Sequence, residues 1–440
     1  MASPFSANPF RQRRLKLKNV AIVSGVRTPI GRFGGSLRDI PVYKLAGIVL
    51  NEAVKRAKTE PALVDDVIMA QSYQNGECAN GARMALLEAG WPNEVPGVTL
   101  DRRCCSGLDA IFFGVMKIQT DNADIIVAGG MDSMSQAELY LPGHIRWGLG
   151  GKVDEKWGFM PKGHGALSMW GIPIYDRIQR ARVMSQPIDR FGELNSMMTW
   201  AEKAAKNEHI TRQEADEWAF RSHQKAIAAI DAGKFSEEIV PVPIPQRKGD
   251  ALIFETDETP RRNTTLEKLS TLPAVYSDGV CTAGNSSTEN DGAAAVVLMT
   301  EEKAKEMGVE PMAYFRSCAV AGADPTLTYP AVPASVDKAL MKAGLTIDQI
   351  DLIEIQEAFA VQALADARMM GIKKENFDKK INVNGSGISL GHPIGATGAM
   401  RLVTLIHEMK RRGSVYGLET ICGGGGLGIA AVFELPRAHP

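Results

Sequence analysis

Short apolar runs alternate with longer segments of helical spacing along most of the chain. Asn19 to Val26 and Asp124 to Gly130 are apolar and rich in β-branched residues, and read as strands buried on both faces. Asp65 and Asp66 open a further strand ending near Ala70, and Ala294 to Met299 forms another. Leu45 to Lys58 carries its apolar residues at helical intervals. The same order returns later, with a helix over Val336 to Ala343, a strand over Ile350 to Ile355 behind the same acidic-then-apolar opening, and a helix over Thr397 to Met409. Similar units at a long interval suggest an internal duplication, and their alternation predicts two packed α/β halves.

Residues 135–240 break this rhythm. They hold Trp147, Trp157, Trp170, Trp200 and Trp218, the glycines Gly148, Gly150 and Gly151, and a basic group at Arg177, Arg180, Arg182 and Arg190. Thr211 followed three residues later by Glu214 has the form of a capping box and predicts a helix running through Ala226.

A chain of 440 residues is too long for one typical core, so two or three domains are expected. The formal net charge of −1 gives no electrostatic case for a nucleic acid or an acidic partner. No apolar run reaches the roughly 20 residues that crossing a bilayer takes. The six cysteines are scattered apart from one adjacent pair, which fits reduced thiols in a cytoplasmic protein better than a disulfide framework. There is no Cys-x-x-Cys pair and no histidine spacing of the ligand type, so no metal is expected. Residues 1–18 are basic, with Arg11, Arg13, Arg14, Lys16 and Lys18, and read as a short arm in which Pro4 and Pro9 oppose an amphipathic helix.

The candidate chemistry begins at Arg103-Cys104-Cys105-Ser106-Gly107, followed by an apolar run to Met116. This reads as the start of a buried helix with the Cys104 thiol on its first turn, where unsatisfied N–H groups would lower its pKa. Two further stretches are rich in glycine, Leu390-Gly391-His392-Pro393 continuing to Gly398, and Cys422-Gly423-Gly424-Gly425-Gly426. Between them and Cys104 lies Gln356-Glu357-Ala358-Phe359. A cysteine, a histidine and a second cysteine can supply a nucleophile, its base and a further proton carrier.

In order and spacing these motifs resemble the thiolases, enzymes that make or cleave 3-ketoacyl-CoA, and the resemblance runs from about Asn19 to Leu435. It implies an α/β thiolase fold, with duplicated halves in a five-layered αβαβα core and an inserted loop domain. The expected division is a first half over 19–134 completed by 241–300, a substrate-covering loop domain over 135–240, and a second half over 301–440. The resemblance assigns Cys104 as the acylated nucleophile, His392 as its base and Cys422 as the second acid/base. It assigns the amides of Cys104 and Gly424 to one oxyanion hole, and His392 with a water to the other. Coenzyme A is the implied co-substrate, with no permanently bound cofactor. Ser287 matches the family's CoA-contacting serine, and Ser196 and Met197 stand where many members have a His-Met pair lining the acyl and pantetheine channel.

The chain also departs from the family. Gln356 replaces the Asn that holds the oxyanion-hole water, Ser196 removes an imidazole, and Cys105 replaces a glycine. The Trp and Arg content of the loop domain suggests a bulky, aromatic, carboxylated acyl group of the benzoylsuccinyl-CoA kind. The implied partners are acyl-CoA and CoA, a second copy in a homodimer or dimer of dimers, and a small zinc-containing OB-fold subunit of the sort that some relatives use. A ketoacyl synthase and a non-catalytic thiolase-like scaffold stay open as alternatives.

Overall fold

The computed structural model describes residues 17–143, 166–169, 172–192 and 196–436. The basic arm up to Lys16, Trp147, Trp157, Trp170 and the glycines at 148, 150 and 151 lie outside the described residues.

Nine strands form the main path of one mixed sheet: β1 Val20–Arg27, β2 Asp66–Ala70, β3 Gly97–Leu100, β4 Ile125–Ser133, β5 Asn290–Thr300, β6 Ala313–Gly322, β7 Leu352–Ile355, β8 Tyr416–Gly423 and β9 Leu427–Glu434. The helices that position the site are α1 Val42–Arg56, α2 Ser106–Gln119, α3 Arg177–Val183, α4 Arg212–Asp231, α5 Ala331–Ala343, α6 Ala360–Met369 and α7 Thr397–Arg412.

The strand order is β7-β8-β9-β6-β1-β5-β4-β2-β3. Within it the same unit occurs twice. In the first half β1 pairs antiparallel with β5, β5 antiparallel with β4, and β4 parallel with β2. In the second, β6, β9, β8 and β7 repeat that sequence of pairings. Among the described strands the two units pair where Ala21 and Ile22 meet Tyr314 and Ala313. The acidic residue that opens corresponding strands also does the same work in each. Asp65 accepts the N–H groups of Asp124 and Ile125 at 2.7 and 2.9 Å, and Asp351 accepts those of Val415 and Tyr416 at 2.7 and 2.9 Å. Each carboxylate satisfies donors where a neighbouring strand begins.

The layers follow from the alternation of side chains. Ala295 and Val297 of β5 pack toward α1, while Val296 and Leu298 face the central helices α2 and α7. Ile429 and Ala431 of β9 face those same helices from the other side, and Ala430 and Val432 pack toward α5 and α6. The order is therefore helix, sheet, helix pair, sheet, helix. Because α7 lies between the two halves of the sheet, every residue from Thr397 to Met409 is buried, including Arg401, His407 and Glu408.

The expected capping box is present, with Thr211 and Glu214 exchanging side-chain and backbone hydrogen bonds at the start of α4. Among the described residues no helix is long and apolar enough to cross a membrane.

Candidate active site

The duplication sets the site. Cys104 precedes α2 and His392 precedes α7, the corresponding central helices of the two halves, which approach closely at Gly107 and Gly398. That crossing draws their N-terminal ends together and brings the Cys104 sulfur to 3.3 Å from His392 Nε2.

Cys104 is not on the first turn of the helix, as its sequence suggested. Arg103 adopts a left-handed conformation with φ 55°, Cys105 is the N-cap, and α2 starts at Ser106. The Ser106 hydroxyl holds this turn, accepting from Arg102 N at 2.5 Å and donating to Arg103 O at 2.6 Å. The expected lowering of the thiol pKa is also overturned. Burial pushes the Cys104 thiol up, against the opposing pull of the Arg103 charge and of the N–H groups of Gly424 and Cys104, which converge on the sulfur.

His392 is held from three directions. Its N–H donates to Asn290 Oδ1 at 2.9 Å, and Gly391 before it has φ 104° and no room for a side chain, since a Cβ there would stand 2.6 Å from the Asn290 carboxamide. Nδ1 lies 2.7 Å from the Thr397 hydroxyl, whose proton goes to Pro393 O at 2.8 Å. With that proton committed, Thr397 can only accept from Nδ1–H, which leaves the Nε2 lone pair facing Cys104. Burial first, then the Arg401 and Arg182 charges, push the imidazole down to about 3. The resting pair is a thiol beside a neutral base.

Cys422 ends β8, is 2 % exposed, and is pushed up by burial and by the neighbouring Cys104. Gly424 faces the chamber, since a Cβ there would meet Met197 Sδ at 3.3 Å and Arg103 Nε at 4.0 Å. Cys104, His392, Cys422, Gly424 and Met197 thus gather around one small volume. Ser196 turns aside, its hydroxyl 2.9 Å from that of Tyr276. Ser287 is partly buried and donates its N–H to Ala358 O at 2.9 Å, beside the Gln356 motif.

Gln356 is wholly buried. Its Oε1 accepts from Arg401 Nε at 3.2 Å, and Arg401 Nη2 donates to Gly391 O at 2.7 Å, so the amide connects to the His392 loop through one guanidinium. Its Nε2 has no hydrogen-bond partner among the described residues. Glu357 is an anchor, accepting from Trp218 Nε1, the Ser222 hydroxyl, Asn382 Nδ2 and Ile388 N.

Two expectations from residue type change. Trp200 and Trp218 are core side chains, the first edge-on to Phe359 at 5.3 Å, so neither supplies the stacking surface proposed for an aromatic acyl group. Cys105, which sequence alone left without a role, fills the space over Gly423, where a Cβ would lie 2.9 Å from its sulfur. Sequence reasoning also missed Thr397, Asn290, Arg401 and Arg103. Thr397 offered one signal, a hydroxyl at the start of the helix that follows the histidine.

A glycine-bounded thiol and an oriented imidazole stand between two matching α/β halves, and likeness to known proteins identifies the chain as an acyltransferase. The chain belongs to the thiolase family: the family models for the thiolase N-terminal and C-terminal domains match residues 20–302 and 309–435. It is 43% identical to the acetyl-CoA acetyltransferase of Syntrophomonas wolfei subsp. wolfei over 95% of this chain and 99% of that protein. It is 44% identical to the acetyl-CoA acetyltransferase of Cupriavidus necator, over 95% of this chain and 100% of that one. Its fold superposes on the crystal structure of Bacillus anthracis acetyl-CoA acetyltransferase with a TM-score of 0.86 at 41% identity, covering 96% of this chain and 99% of that one. Against human mitochondrial 3-ketoacyl-CoA thiolase the TM-score is 0.85 at 34% identity, covering 95% and 99%.

Proposed function

We propose that the protein cleaves a 3-ketoacyl-CoA with free coenzyme A, and runs the reverse Claisen condensation, through an acyl thioester on Cys104. The observation that carries this reading is the 3.3 Å contact between Cys104 and the unprotonated Nε2 of His392. In cleavage, the Cys104 sulfur attacks the keto carbon while its proton passes to His392. The amides of Cys104 and Gly424 hold the resulting oxyanion. Collapse breaks the carbon–carbon bond, leaving an acyl group on Cys104 and the enolate of acetyl-CoA, which takes its proton from Cys422. The incoming CoA thiol gives its proton to Cys422 and attacks the acyl-enzyme, and Cys104 recovers its proton from His392. Covalent capture divides one difficult cleavage into two easier transfers.

A thiol pushed up by burial favours a neutral resting pair, so attack and proton transfer occur together rather than from a stored thiolate. Retention of Cys422 at the end of β8 argues against a ketoacyl synthase, and retention of all three groups argues against a scaffold. The test is to incubate the purified chain with acetoacetyl-CoA and free CoA and follow acetyl-CoA by mass spectrometry. The expected result is acetyl-CoA formation, with an acyl adduct on Cys104 when CoA is withheld. Absence of both products in the wild type, or equal turnover by Cys104→Ala, would overturn the reading.

A further inference from the structure

Arg103 stands immediately before the nucleophile, in the strained left-handed conformation that aims Cys104 into the chamber. It is partly buried, and its guanidinium stacks over the Tyr73 ring at 5.5 Å. Among the described residues no carboxylate forms an ion pair with it, and its side-chain hydrogen bond goes to the Tyr73 phenol. Its neighbours differ. Arg102 pairs with Asp109 at 2.5 Å and Arg182 with Glu289 at 2.5 Å, while Arg401 donates to Gly391 O and Gln356. Asp101, the nearest acid on its own loop, has Oδ1 occupied by the Arg103 N–H at 2.7 Å and the Ser72 hydroxyl at 2.9 Å.

A second observation points the same way. Tyr73 is 1% exposed, and beyond the Arg103 guanidinium its buried hydroxyl has no hydrogen-bond partner among the described residues. It belongs to an apolar cluster with Met134, Ile178 and Ile394 that packs against Cys104. Among the described residues the chamber therefore has an apolar wall, a guanidinium with no carboxylate partner and a phenol whose proton has no acceptor, all beside the reacting sulfur. Withdrawing such donors from water is costly unless an acceptor arrives to meet them.

We propose that the acyl end of the substrate carries a carboxylate, bound by Arg103 and the Tyr73 hydroxyl in the same chamber as Cys104. This rests on the thiolase reading above and narrows its acyl group to a short 3-ketodicarboxylic acid joined to CoA at one end. The anion belongs to the acyl end because the phosphates of CoA lie at the far end of the pantetheine arm from the thioester. A planar guanidinium meets a carboxylate through two parallel N–H donors, and a phenol can add a third.

The test compares two thioesters of equal chain length, the mono-CoA ester of 3-ketoadipic acid and 3-ketohexanoyl-CoA, with acetoacetyl-CoA as a reference. The wild type is expected to favour the charged ester by more than about tenfold in kcat/KM, because an uncharged end leaves the donors unpaired. In Arg103→Met that ratio falls below one, in Arg103→Lys part of it returns, and in Tyr73→Phe it drops severalfold. A wild-type ratio near one overturns the proposal without any variant, and leaves the thiolase reading standing if acetoacetyl-CoA is cleaved. Equal losses on both esters in Arg103→Met assign the charge to the Cys104 sulfur instead, which also overturns it. Inactivity toward every thioester overturns both readings together.

Discussion

Gly398 and Leu108 leave no room for a side chain between them: a Cβ on Gly398 would stand 2.2 Å from the Leu108 backbone nitrogen. On the facing helix, a Cβ on Gly107 would stand 2.7 Å from Ala399 N. Both obstacles are backbone, which cannot rotate away, so a methyl group at either position must push α2 and α7 apart. Because Cys104 and His392 precede these helices, the crossing sets their separation. Gly398→Ala is expected to cost about 1–3 kcal/mol of stability through overpacking. A shift of about 1 Å at the site would also lower kcat by roughly a hundredfold. Urea unfolding and kinetics on the folded fraction separate the two effects, and a stable variant with wild-type kcat would disprove the link.

Thr397 acts on His392 through tautomer and orientation. Replacing it with Val keeps the shape but removes the oxygen 2.7 Å from Nδ1, leaving that N–H without its acceptor. Thr397→Val is expected to lower kcat about tenfold or more with little change in KM, since proton transfer contributes on the order of a hundredfold or more. Thr397→Ser restores the acceptor and most of the rate. Equal rates for the Val and Ser variants would show that the contact does not orient the base.

The neutral resting pair has a pH signature. Alkylation by iodoacetamide needs the thiolate, and the Cys104 thiol is pushed up by burial, so its alkylation rate should climb steadily from pH 6 to 9. A plateau below pH 7 would instead indicate a stored thiolate–imidazolium pair. Because His392 is pushed down to about 3, acylation of Cys104 by substrate should not decline through imidazole protonation between pH 8 and pH 5. Rapid-quench measurement of the acyl-enzyme across that range checks it.

Much of the fold was legible because burial on two faces leaves a plain pattern. The continuous apolar run of Ala294 to Met299 could only be a strand covered from both sides, and β5 is one. The capping box at Thr211 was equally direct, because that signal is local. The start of α2 was misread because nothing in Arg103 announces a left-handed turn that glycine usually supplies. The three candidate site residues Cys104, His392 and Cys422 came from motif resemblance, since each lies in a separate part of the chain. What holds them was not legible. Asn290, Thr397 and Arg401 act through contacts that exist only once the two halves are packed. The tryptophans misled for a related reason, as the surface that could stack on a ligand also fills a core, and Trp200 and Trp218 fill one.

Glu354 and Glu419 sit directly opposite each other on the parallel strands β7 and β8, both buried, with Arg401 as a cation that favours their charged forms. Burial pushes Glu354 up to about 8, against the pull of Arg401, and raises Glu419 as well, with Glu354 adding to it. In the unfolded chain a glutamate titrates near 4.3. Between about pH 4.3 and 8 the folded protein thus keeps a proton on Glu354 that the unfolded chain has released, so this group's contribution to stability falls as pH rises. The opposite contribution comes from His392 and His223, pushed down to about 3 and about 4, whose burial favours folding increasingly as pH rises toward 6.5. Asp132, pushed up to about 7, releases its remaining proton between pH 7 and 8 and adds a slope of the same sign as Glu354. The window from pH 7 to 8 therefore leaves the histidine contribution behind and keeps that of the buried carboxyls. There the unfolding free energy in urea should fall with pH, and Glu354→Gln should remove a slope of up to about 1.4 kcal/mol per pH unit. A wild-type stability that is flat or rising across that unit, or a slope left unchanged by Glu354→Gln, would mean the proton is not held there; Glu419 and Asp132 account for the slope that remains in the variant.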